Sequence, residues 1–368
     1  MPPSPPERIL IYRLGSLGDT VVALPSLKLV ARSFPKAERW MLTNKPVAAR
    51  AAPLRQVIEG LDLVHGYLDY PVGTRNPAAL LNLGRQIRAL RPTALVYMVP
   101  ARGRVRLLRD YLFFRACGIT RIVGIPFKSE VAQSRRYDNA GVETWEPEAE
   151  RLARSLAGLG DAALNDPGSW DLRLTEQDIA TAAGLLDAWS GRHAYVTVSL
   201  GTKCSVKDWG KANWSELLSR ITQAHPELGL VLLGAADESQ MSEEAASAWK
   251  GPRLNLCGKS APRVSAAVIS WSKAFLGHDS GPMHLAAAAG VPCIAIFSAR
   301  NLPGEWFPYG HGHQVLYHRT ECFGCRLDIC VEHAKKCIAS ISVVEAFTAF
   351  SRVMKQRAAG APNPGVLQ

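Results

Sequence analysis

No stretch of the 368-residue chain approaches the roughly 18 uninterrupted apolar residues that a membrane-spanning helix needs. The opening segment, Met1 to Arg8, has no apolar core of the kind a signal peptide carries. The expectation is a cytoplasmic protein that touches a membrane, if at all, peripherally on the inner face of the cytoplasmic membrane. Repeats with a period of about 20 to 50 residues are missing, which excludes a solenoid or propeller. Charged residues are few, at 20%, and Gly and Pro together are 54 of 368, so neither a disordered nor a collagen-like chain is indicated. No zinc-finger, RNP or recognition-helix pattern is found, and nucleic acid is not an expected partner. What is present is 47% hydrophobic residues and a length that, at about 150 residues per domain, favours two domains.

The formal charge is +11, and +9 of it falls in residues 1–173. Within residues 85–136 twelve basic residues stand against only Asp110 and Glu130, a field that attracts an anionic partner unless it is simply a solvated face. Apolar runs of strand length alternate with helix-length periodic segments throughout, which predicts an α/β chain of parallel sheets with crossover helices. In the first half the strands are expected at 8–13, 39–43, 94–98 and 121–124, with helices near 20–34, 77–90, 103–117 and 146–159. In the second half a helix near 176–189 precedes strands at 194–200, 229–233, 253–256, 274–276 and 293–297. The predicted division is residues 1–173, residues 174–340, and a final segment 341–368 holding one helix and a loose tail, the helix being free to return onto the first domain. Two doubly wound sheets place ligands beyond the carboxyl ends of their strands, so a cleft faced by both domains is expected.

Three clusters carry chemistry. The first strand runs into Gly15, Ser16, Leu17, Gly18 and Asp19, a turn whose glycines let backbone approach a ligand and whose carboxylate begins a helix. Its Gly-x-x-Gly spacing is not the dinucleotide fingerprint. Asp19 is open to two readings, a group at the mouth of the crevice or a helix cap favoured by the dipole. The second cluster, His278-Asp279-Ser280-Gly281-Pro282-Met283-His284 followed by an alanine-rich helix, has the strand end, the Ser-Gly pair and the early proline of an anion-binding helix start, with diphosphate the natural ligand. The third, Gly201-Thr202-Lys203-Cys204-Ser205-Val206-Lys207, puts a Gly-Thr turn and two lysines beside the same crevice. It could neutralise a phosphate leaving group without a metal ion.

Taken together, the segments Arg13 to Leu27, Gly201 to Trp214 and Asp279 to Gly290 resemble glycosyltransferase family 9, the lipopolysaccharide heptosyltransferase family. Asp279-Ser280-Gly281-Pro282-Met283-His284-Leu285-Ala286-Ala287-Ala288 is the most specific part. The resemblance implies the GT-B architecture, two Rossmann-like domains with the acceptor held by the first and a nucleotide sugar, ADP-heptose, by the second. It also implies an inverting transfer with no cofactor for catalysis. By the same resemblance Asp19 is the general base, Lys207 steadies the departing diphosphate with Thr202 beside it, and Ser280 and Gly281 donate to the phosphates; Lys203, from its place in the same loop, is a further donor-binding candidate. Asp279 holds the sugar, Gly18 and His284 lie in donor-binding motifs, and Asp237 or Glu238 meets the ribose. Arg102, Arg104 and Arg106 would suit an anionic glycolipid or glycan acceptor at the inner leaflet. Other nucleotide sugars, a protein acceptor, or a non-catalytic nucleotide-binding role remain alternatives. The phosphate loop departs from the family's usual order, with Lys203 and Cys204 where hydroxyl residues often precede the lysine.

Four of the eight cysteines stand close in sequence, at Cys322, Cys325, Cys330 and Cys337. In a cytoplasmic chain this spacing predicts either a closed structural zinc or iron site or four reduced thiols in a loop.

Overall fold

The computed structural model describes residues 7–44, 54–73, 76–100, 103–127, 134–139, 142–187, 189 and 194–359. The chain divides into two compact units, one of Met1–Arg135 with Glu148–Ser169, the other of Arg136–Pro147 with Trp170–Gln368.

The first unit holds strands β1 (Arg8–Tyr12), β2 (Glu38–Asn44), β3 (Gly66–Tyr70), β4 (Ala94–Tyr97) and β5 (Arg121–Val123). They form an all-parallel sheet in the order β3-β2-β1-β4-β5. The central β1 pairs Ile9 with Arg39 on one side and Ala94 on the other. Ile9, Leu10 and Ile11 are fully buried, as a strand covered on both faces requires. Its described helices are α1 (Leu17–Val22), α2 (Leu24–Ser33), α3 (Arg55–Ile58), α4 (Pro77–Leu90), α5 (Arg104–Ala116) and α6 (Glu148–Ser155). The single helix expected at 20–34 is two, because Pro25 in the first turn of α2 has no N–H to continue the ladder from α1.

In the second unit β6 (Arg136–Asn139) and β7 (Val142–Trp145) make an antiparallel hairpin, and β8 (Tyr195–Ser199), β9 (Gly229–Leu232), β10 (Arg253–Asn255), β11 (Phe275–His278), β12 (Cys293–Phe297) and β13 (Gln314–Tyr317) form a parallel sheet. The strand order is β10-β9-β8-β11-β12-β13. Its helices are α7 (Glu176–Leu186), α8 (Lys211–Ala224), α9 (Ser239–Ala245), α10 (Pro262–Ser270), α11 (Gly281–Ala288), α12 (Lys336–Ala339) and α13 (Val343–Ala358). Each sheet reverses direction of growth once, between β1 and β4 in the first and between β8 and β11 in the second. The loops after β1, β8 and β11 are the three sequence clusters, so each lies at a switch point where such sheets hold ligands.

Two features depart from the expected division. The β6–β7 hairpin belongs to the second unit: the Trp145 N–H donates to the Pro303 carbonyl at 2.7 Å and Arg319 pairs with Glu143 at 3.1 Å. The last helix, α13, falls within the second unit and packs on α8, β12 and β13. Ala346, Phe350 and Val353 join the same buried cluster as Trp214 and Leu217 of α8, so its apolar face is satisfied there.

Candidate functional site

In the first unit Asp19 is the third residue of α1, and its carboxylate turns back to accept the Ser16 N–H at 2.8 Å and the Ser16 hydroxyl at 3.0 Å. The turn depends on Gly15: φ there is +148°, and an added Cβ would fall 2.3 Å from Asp19 Cβ. The Gly15 N–H is tied to Asn44 Oδ1 at 2.8 Å. Arg13, fully buried, donates through Nη2 to the Asp19 carbonyl at 2.7 Å and through Nη1 to the Met98 carbonyl at 2.7 Å and Glu148 at 3.1 Å. Burial opposes ionisation of Glu148, yet Arg151 and Arg13 together hold its carboxyl below the usual range. The Asp19 backbone is thus fixed by a buried guanidinium while its carboxylate stays partly exposed. Gly18 is buried inside α1.

In the second unit the loop after β8 closes with a single turn at Ser205–Lys207, which brings Lys207 Nζ to 2.6 Å from Asp279 Oδ2 and 3.1 Å from the Asp279 carbonyl. Both side chains are largely buried, at 16% and 8% exposure. Asn301 donates to the same carboxylate oxygen at 3.1 Å, and Arg326 in turn donates to Asn301 at 3.0 Å and to both oxygens of Glu305. One residue on, Ser280 caps α11 with extended backbone, and its Oγ is buried without a hydrogen-bond partner. The start of α11 therefore offers a donor hydroxyl, unsatisfied backbone N–H groups and the positive end of the helix dipole beside an ammonium group. Thr202 Oγ1 is turned to the Cys204 carbonyl at 2.9 Å, and Lys203 is exposed. Of the two acids after β9, Asp237 is exposed, whereas the Glu238 carboxylate lies over Gly201 and Gly234, where an added Cβ at Gly201 would come within 1.9 Å of it. Glu238 thus lies at the carboxyl end of β8, beside the Gly201–Lys207 loop.

His278 locks this arrangement. Its Nε2 accepts both the Trp209 N–H at 3.1 Å and the Trp214 indole N–H at 3.2 Å, which places the proton on Nδ1 of a neutral ring. Full burial pushes its pKa down to about 4, against the pull of nearby Asp208. In the unfolded chain it titrates near 6.5, so between about pH 6.5 and 4 the unfolded state takes up a proton that the native state refuses. Stability is expected to be complete above that window and to fall by about 3 kcal/mol as pH drops through it. Urea unfolding followed from pH 7 to pH 4.5 checks this, and a His278→Asn variant should show a flatter dependence.

A family model described as glycosyltransferase family 9 (heptosyltransferase) matches residues 107–335, more than half of the chain. The chain belongs to glycosyltransferase family 9. It is 27% identical over 339 residues to the lipopolysaccharide heptosyltransferase 1 of Pseudomonas aeruginosa, covering 88% of this chain and 87% of that one. Among solved structures, a family 9 glycosyltransferase from Veillonella parvula superposes with a TM-score of 0.71 at 16% identity, over 95% of this chain and 98% of that one. The Escherichia coli ADP-heptose lipopolysaccharide heptosyltransferase II superposes with a TM-score of 0.63 at 16% identity, over 95% and 99%. The two parallel α/β sheets are those of the GT-B fold, and this family 9 chain is a glycosyltransferase. A purely non-catalytic role is set aside.

Not every expected residue of this glycosyltransferase is gathered. Arg102 lies outside the described residues, while Arg104 and Arg106 are exposed on α5. His284 is buried on α11, its ring 6.2 Å from that of Trp306. The four-thiolate centre is not assembled: among the described residues no three of His, Cys, Asp and Glu are grouped to hold a metal ion. Cys337 is buried and its sulfur accepts the Ala299 N–H at 3.3 Å, and Cys322 sits against the Thr320 hydroxyl. The run between them is held by other side chains. Arg326 is engaged with Asn301 and Glu305, and Asp328 takes the Val206 N–H, the Ser205 hydroxyl and the Cys204 thiol at 3.2, 3.3 and 3.1 Å. Asp328 and Arg13, both positioning residues, have no motif of their own in the sequence. Among the described residues no helix is long and apolar enough to cross a membrane.

Proposed function

We propose that this family 9 glycosyltransferase transfers heptose from ADP-heptose to a lipopolysaccharide or related surface-glycan acceptor, with inversion at the anomeric carbon and without a metal ion. The observation that carries the donor half is the buried, unpartnered Ser280 hydroxyl at the head of α11, one residue from the carboxylate that holds Lys207. Ser280 Oγ and the Gly281 N–H bind the diphosphate, Lys207 neutralises it, Asp279 accepts from sugar hydroxyls, and Glu238 takes the ribose. The acceptor hydroxyl oxygen bonds to the anomeric carbon as the bond from that carbon to the diphosphate breaks. The electron pair leaves with ADP, and the acceptor proton passes to the Asp19 carboxylate. The names of the Pseudomonas and Escherichia relatives support the heptose and the acceptor class.

Ligand-induced thermal shift tests the donor. ADP-heptose at about a hundredfold above its Kd is expected to stabilise the fold by about 2.7 kcal/mol. Sugars carried on UDP, GDP or dTDP should give little at the same concentration. A larger shift from one of those would replace ADP-heptose in the reading.

A further inference from the structure

Helix α5 carries two apolar faces. Leu107 and Phe114 belong to the buried cluster under the first sheet, and Asp110 beside them is 5% exposed, accepting from Tyr97 at 3.0 Å and from Arg109 at 2.7 Å. On the other side Val105 is 83% exposed, Leu108 51% and Leu112 56%. At 3.6 residues per turn these three fall within an arc of about 60°, one continuous stripe along the helix. Exposed arginines border it, Arg104 and Arg115 along one edge and Arg106 and Arg109 along the other. The neighbouring α4 packs close through Gly84, against Phe113 and Cys117, and repeats the pattern with exposed Leu80 and Leu81 near Arg85 and Arg88.

A solvated helix needs no such stripe, and the helix's one carboxylate faces inward. The face therefore presents branched apolar side chains set in positive charge, the composition that enters the headgroup boundary of an anionic bilayer. Apposing two copies of it would set arginine rows against each other, and binding to a phosphate backbone would leave the protruding Val105, Leu108 and Leu112 without a role. We propose that the outward face of α5 docks on an anionic phospholipid surface, with Val105, Leu108 and Leu112 entering the acyl boundary and the bordering arginines meeting lipid phosphates. Helix α5 begins at the carboxyl edge of the first sheet, the edge from which the Gly15–Asp19 turn also springs. Docking would thus bring a lipid-borne acceptor to that edge. The proposal deepens the acceptor reading above, yet its readout is binding to lipid and not transfer, so either can fail alone.

Flotation of the full chain with phosphatidylcholine vesicles, with and without about a quarter phosphatidylglycerol, tests it. The chain is expected to float with the anionic vesicles only. V105S/L108S/L112S should cut that partition at least about tenfold while keeping its circular dichroism and its ADP-heptose thermal shift. R104E/R106E should also lose vesicle binding, and added salt should weaken the wild type. Equal flotation of the triple serine variant, absence of the wild type from anionic vesicles, or a dimer in solution that the triple variant dissociates would each overturn the proposal.

Discussion

Asp19→Asn is expected to lower sugar transfer by about 10²- to 10⁴-fold, with its melting temperature and its donor-induced thermal shift held near wild type. The expectation follows from what the carboxylate does in the free protein. It closes the Ser16 capping box, and a cap is worth about 1 kcal/mol. Asparagine keeps an oxygen that can take the Ser16 N–H, and the backbone at this position is held independently by Arg13. The substitution therefore removes a proton acceptor while leaving the turn in place. Initial rates at saturating donor separate the two roles. A rate close to wild type would reduce Asp19 to a cap and require another base, whereas an inactive but well-folded variant with normal donor binding assigns the proton transfer to it. Asp19→Ala should add a loss of stability that Asp19→Asn does not show.

Much of this was legible in the chain because strands of a doubly wound sheet are nearly unbroken apolar runs. Ile9 to Ile11 and Cys293 to Phe297 could hardly be anything but central strands, and all three switch-point loops follow such runs. The edge strands β3 and β13 escaped for the complementary reason. Their residues are half-buried almost throughout, so Gly66–Tyr70 and Gln314–Tyr317 show neither a continuous apolar run nor a clean alternation. Asp237 and Glu238 could not be told apart in the sequence because both follow the same strand; in the fold Asp237 is exposed, while Glu238 lies over Gly201 and Gly234. Arg13 reaches the Met98 carbonyl, and Asp328 takes the Cys204–Val206 turn, both far along the chain, and no local spacing encodes such partners. The cysteine spacing, in contrast, left a metal site and four free thiols equally open, and among the described residues no three ligating side chains are grouped.

Lys207→Met carries the other large expected effect, and it falls on stability and binding together. Asp279, 8% exposed, would keep, among the described residues, only the Asn301 amide as a side-chain partner. A carboxylate left in that position without its cation is expected to cost about 2 to 3 kcal/mol, somewhat less than for a fully buried pair because the lysine is partly exposed. Asp279→Asn in the same chain should recover most of that loss, because the neutral amide no longer needs a counterion, and urea denaturation of the four proteins measures the coupling. ADP binding separates this structural debt from function. If Lys207 serves the diphosphate, Lys207→Met and the double variant should both bind ADP at least about tenfold more weakly, and Asp279→Asn alone should bind it nearly as wild type does. Recovery of ADP affinity in the double variant, in step with recovered stability, would mean that the lysine acts only through Asp279, and the leaving group would then rest on the head of α11 alone.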